Sequence, residues 1–156
     1  MHLVREGSQR YMNAQSATTG RVIILTTRIR RETERYGRAH AREGRQAMIA
    51  MKKEPGKDPV VISMENTLAG IYAAIGGDCD CFEHVGLGLF DSEDGKQVRI
   101  GILLDESGKL KGLKPNFLFY GDIIVGSVVF VAEDGEDFTD LSEGHQRMIM
   151  ERFSAS

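Results

Sequence analysis

Tryptophan is absent from this 156-residue chain, and aromatic residues make up only 7% of it. A core must therefore be built from Ile, Val, Leu and Met. Cysteine is nearly absent as well. Cys79 and Cys81 lie two residues apart, a spacing at which strand neighbours do not bridge easily, so no disulfide framework exists and a reduced, cytoplasmic setting is expected. No apolar run approaches the roughly 18 residues that a membrane-spanning helix needs, and no membrane partner is expected. The apolar run at residues 22–25 is too short for the core of a secretion signal. The apolar share of 41% is modest, yet enough for one core, and the length fits one domain.

Lysine is missing from the first fifty residues, which hold ten Arg against four acids, Glu6, Glu32, Glu34 and Glu43. Residues 51–156 hold ten basic residues, seven of them Lys, against nineteen acids. The net charge of −3 thus hides a basic segment and an acidic body, and the reversal of sign marks a boundary. We divide the chain into a basic extension, residues 1–50, and a single domain, residues 51–156. Residues 21–27 are a candidate strand and residues 28–50 a candidate Arg-rich helix. The apolar positions of that helix are too sparse to bury a face. Four readings of the extension stay open: an arm that binds nucleic acid, a helix docked on the acidic body, a disordered tail, or a leader upstream of a true start near Met48 or Met51.

The body carries clear local signals. Residues 54–59 are turn material and residues 60–63 read as a strand. Leu68, Ile71, Tyr72 and Ile75 fall at helical spacing, with Ser63 or Asn66 as the cap and Gly76-Gly77 as the stop. Residues 79–90 carry one or two strands, residues 92–95 a turn, and Gln97–Asp105 a strand with Val98, Ile100 and Ile102 on one face. Residues 110–120 read as irregular, since Pro115 argues against a ladder. Residues 122–132 form the strongest strand, apolar on both faces and so central. A last helix starting at Thr139, Asp140 or Ser142 buries Leu141, Met148, Ile149 and Phe153. Short glycine turns between strands predict an α+β fold: a small, mostly antiparallel sheet with one or two helices packed on one face.

The chemistry-bearing residues are scattered. Cys79, Cys81 and His84 supply three of the four ligands that zinc takes, with no second Cys pair, and the cysteines read better as small core residues. His84 is expected on the opposite strand face from the two thiols. The acidic stretches at residues 91–94 and 133–137 lack calcium-loop spacing and read as solvated turns. Gly86-Leu-Gly88 and Pro55-Gly-Lys57 are not followed by the helix that a phosphate loop needs. His145 is placed on the exposed face of the last helix. No nucleophile, base and orienting group stand in a recognisable order, so neither catalytic residues, a metal nor a cofactor are expected. The stretch with most interaction chemistry is the loop containing Lys111, Lys114, Asn116, Phe117, Phe119 and Tyr120, which suits contact with a partner. The alternative is that Phe117 and Phe119 plug the end of the sheet.

An ordered set of short motifs carries a family resemblance. Glu54-Pro-Gly-Lys57, the Thr67-Leu68 helix start, Gly76-Gly77, the run from Asp105 to Leu110, Leu113 to Asn116, Asp122 to Gly126 and Asp134 to Phe138 together resemble the domain of unknown function 3846. The resemblance covers roughly residues 51–152. It implies a small soluble protein of the kind common in bacteriophages and mobile elements, a start near Met51, and no particular activity. The basic extension and the long stretch at residues 79–96 depart from the pattern. The resulting expectation is a non-enzymatic protein-binding or regulatory module whose partner is a host or phage protein. Two alternatives are an acidic DNA mimic that inhibits a nucleic-acid enzyme, and nucleic-acid binding through residues 1–50.

Overall fold

The computed structural model describes residues 47–155. The elements in chain order are β1 (Ala47–Lys53), β2 (Val60–Glu65), α1 (Leu68–Ile75), β3 (Phe82–Asp91), β4 (Gln97–Asp105), β5 (Pro115–Phe119), β6 (Asp122–Val125), β7 (Val128–Asp134), β8 (Asp137–Thr139) and α2 (Glu143–Phe153). Six strands form one sheet in the order β2-β1-β7-β4-β3, with β8 paired to the end of β7, and β5 and β6 form a separate hairpin. Every ladder among the described residues is antiparallel. The α+β class and the antiparallel sheet are as the turn pattern predicts.

The centre of the sheet is β7. Its residues Val128 to Glu133 are all buried, which only a strand covered on both faces achieves. Val128, Phe130 and Ala132 join one core with Ile100 and Ile102 of β4, while Val129 and Val131 join a second core on the opposite face. The two helices divide between these faces. Ile149 and Phe153 of α2 pack with Phe119 and Ile124 of the hairpin over Phe130, and Ile71 and Ile75 of α1 cover Val129 and Val131. This corrects the expectation of helices on one face only. A strand that is apolar on both sides needs a cover on both sides.

Several local expectations change for identifiable reasons. Residues 122–132 are two strands, because Gly126 takes a φ of 73° and redirects the chain from the hairpin into the sheet. Pro115 opens β5 instead of preventing it, as a proline can at the first position of a strand. Thr67, not Ser63 or Asn66, caps α1, its Oγ1 accepting from Gly70 N at 3.0 Å. Residues 79–90 carry one strand from Phe82, with a bulge between Gly86 and Gly88 that turns Leu87 into the core. Residues 47–50, assigned by composition to an Arg-rich helix, are the start of β1 and pair with β2. The rest of that candidate helix, the candidate strand at residues 21–27 and the basic arm lie outside the described residues. His145 is buried at 4% exposure, not exposed: its Nε2 donates to the Asp91 carbonyl at 3.2 Å and its Nδ1 accepts from Ser142 Oγ at 2.9 Å.

Replacing Phe130 by Ala is expected to destabilise the fold by about 3–5 kcal/mol in urea denaturation, because the ring is fully buried between two layers. A loss below about 1 kcal/mol would contradict the two-layer packing.

Candidate functional site

Two regions gather polar chemistry. The first is a solvent-open cavity of about 510 Å³ between the β5–β6 hairpin, the end of β1 and the last turn of α2. Its walls include residues 116–120, Lys53 and residues 152–155. Four of the six residues expected to contact a partner, Asn116, Phe117, Phe119 and Tyr120, line it, and Lys111 and Lys114 do not.

Each position follows from local structure. The extra residue of a bulge in β5, between Pro115 and Phe117, is Asn116. Its Nδ2 donates to the Lys53 carbonyl at 2.9 Å and to the Gly126 carbonyl at 2.7 Å, clipping hairpin to sheet. Its Oδ1 is buried with no donor in reach. Phe117 stacks on Phe130 at 6.5 Å and meets Phe153 at 4.9 Å, while Phe119 is buried against Tyr120 at 4.5 Å. Both rings thus pack onto the core on one face of the sheet, over Phe130, and do not plug its end; the cavity is on their outer side. Tyr120 has a φ of 46° and Gly121 of 78°, as a two-residue hairpin turn requires. Tyr120 is the one non-glycine residue at positive φ among those described, a conformation costing about 1–2 kcal/mol. That strain lies on the cavity rim.

The cavity also holds residues that no linear motif announces. Lys53 is 3% exposed, and its Nζ donates to the Lys57 carbonyl at 2.6 Å. Arg152 lies 5.8 Å from the centre of the Phe153 ring. No carboxylate among the described residues pairs with either cation. Leu118 is 70% exposed and lies opposite Ile123, 50% exposed, so the outer face of the hairpin carries a solvated apolar pair beside the cavity. Lys111, by contrast, is engaged within the fold: its Nζ donates to Asp105 Oδ2 at 2.8 Å and to the Asp78 carbonyl at 2.7 Å. The hydrogen bond to Asp105 raises the Lys111 ammonium above its ordinary value. Lys114 is exposed outside the cavity.

The second region lies on the opposite face of the sheet. His84 Nε2 and Glu133 Oε1 are 2.5 Å apart, with Arg99 Nη1 3.9 Å from Glu133 Oε2 and the Phe138 ring edge-on to His84 at 5.6 Å. The pair meets directly above Gly101, where a Cβ would collide with both side chains. Glu133, expected in a solvated turn, is 8% exposed. Burial pushes its carboxyl up, but the charge and hydrogen bond of His84, with Arg99 behind them, outweigh burial and hold it below its ordinary 4.5. His84 is therefore engaged with Glu133. Cys81 is buried before β3 begins, and Cys79 Sγ lies 3.6 Å from the Cys81 carbonyl. Burial, helped by the Asp105 carboxylate, pushes the Cys79 thiol up to about 12. Among the described residues, no group of three or more His, Cys, Asp or Glu is placed to hold a metal ion.

The fold and cavity define an α+β domain with one covering layer on each face of its sheet and an open, cationic, aromatic-walled recess on one of them. The model of the family described as Domain of unknown function (DUF3846) matches residues 48–154, from β1 to the end of α2. The chain belongs to that family. No curated protein and no solved structure matches it.

Replacing Gly101 by Ala is expected to force His84 and Glu133 apart and to lower stability by about 1–3 kcal/mol in chemical denaturation. Stability should also depend on acid through Glu133. Its folded-state pKa lies below its unfolded one, so its contribution is complete above the unfolded value and is lost as pH falls through the folded value. Glu133→Gln should flatten that part of the pH–stability curve. An unchanged acid limb would show that the ion pair is not formed.

Proposed function

We propose that this domain is a non-enzymatic binding module whose partner is a protein, engaged by the β5–β6 hairpin and the last turn of α2. The observation that carries the reading is the exposed Leu118–Ile123 pair next to the cavity. Cross-strand apolar pairs normally help to bury a sheet face, and one left in water beside an aromatic recess suits a contact anchor. The hairpin's stiffness supports this role. Asn116 ties its open end to β1 and to the β6–β7 turn, and Lys109 Nζ pairs with Asp122 Oδ1 at 2.6 Å beside its Tyr120-Gly121 tip, so little ordering entropy is left to lose on binding.

The acidic body supports DNA mimicry less well. Glu54, Glu93, Asp94, Asp105, Asp122 and Glu133 each pair with a basic side chain, which removes them as phosphate substitutes. Nucleic-acid binding through residues 1–50 lies outside the described residues. A phage or mobile-element setting is proposed on the family resemblance alone. A cytoplasmic one accords with the two free thiols; among the described residues no helix is long and apolar enough to cross a membrane.

The test compares three forms of the immobilised full chain in lysate of the native cell: wild type, Leu118→Asp, and Val61→Asp on the exposed side of β2. Wild type and Val61→Asp should retain the same stoichiometric protein, and Leu118→Asp should lose it with an unchanged melting temperature. Equal recovery by Leu118→Asp would contradict the proposal.

A further inference from the structure

The cavity's charge indicates what the partner brings to it. Lys53 is an ammonium held at 3% exposure with one carbonyl acceptor, whereas an ammonium offers three donors. Burying such a charge is costly unless an anion accompanies it. The second cation, Arg152, lies at the same cavity, also without a carboxylate among the described residues. The remaining wall is aromatic, from Phe117, Phe119, Tyr120 and Phe153.

We infer that the cavity is a carboxylate-binding site that takes an acidic residue of the partner protein, with an adjacent aromatic or large apolar residue against the phenylalanine wall. The inference rests on the binding-module reading and names the chemistry of its partner. Charge complementarity selects an anion. The end of α2 selects its kind: residues 152–155 bring a helix C-terminus to the cavity, and the partial negative charge there opposes a dianion such as phosphate more than a single carboxylate. The volume of about 510 Å³ lies within the range filled by small ligands, enough for an acid and one neighbouring side chain.

The probes are two capped dipeptides, acetyl-Phe-Asp-amide and acetyl-Phe-Asn-amide, which differ by one charge at nearly constant shape. Each is titrated into the full chain at millimolar concentration and followed by the resonances of residues 116–120. The Asp peptide should bind about tenfold more tightly than the Asn peptide, the value of one charge-assisted hydrogen bond. Lys53→Met should equalise the two. Arg152→Gln, at an exposed position, should weaken the Asp peptide severalfold even if the Lys53 variant fails to fold. Equal binding of the two peptides to wild type would overturn the carboxylate assignment while leaving the binding module intact. So would a preference that survives Lys53→Met, or no shift with either peptide. The loss of partner recovery in Leu118→Asp bears on the module alone.

Discussion

Burial of β7 on both faces is the constraint from which the rest of the structure follows. A strand reading Val-Val-Phe-Val-Ala sends alternate side chains into two separate cores, so neither face can be left to water. One face recruits α1, and the other recruits α2 together with the β5–β6 hairpin. The hairpin can reach that face because Gly126 breaks the long apolar stretch and lets β6 leave the sheet where β7 enters it. Phe130 lies beneath both Phe117 and Phe153, so one ring sets the spacing between hairpin and helix.

That arrangement creates the recess as a consequence of covering the core. Two dissimilar elements, a two-stranded ribbon and a helix end, meet at an angle and leave space between them. Lys53 reaches the space from β1, and the Asn116 amide, 63 residues away in sequence, holds the ribbon beside it. The His84–Glu133 pair solves a different problem on the other face. It fills the room left by Gly101 with polar atoms that satisfy each other.

What could be read from the chain before its structure follows a physical pattern. Elements specified by their own residues were legible: β4 by its alternation and α1 by its helical spacing and Gly76 stop, while β7 was legible as a central apolar strand but not as separate from β6, because the break rests on Gly126 alone. The stretch at residues 116–120, singled out for its aromatic and amide side chains, lines the cavity, whereas Lys111 from the same run is claimed by Asp105 through tertiary contact. Lys53, Arg152 and Phe153 carried no local sign of belonging together. The Glu133 carboxylate looked like turn chemistry because its strand continues two residues into the acidic run, through Glu133 and Asp134. The exposed placement of His145 failed for a similar reason: its partner is the Asp91 carbonyl at the far end of β3.

Residue-resolved amide hydrogen exchange on the native protein tests the organising role of β7 most directly. The account predicts that the hydrogen-bonded amides of residues 128–132, together with those of β4 paired to them, exchange slowest and only through global unfolding, with β2 at the sheet edge opening earlier. If the β7 amides exchanged as fast as those of β2, the strand would not be the shared floor of two cores, and the account would be wrong.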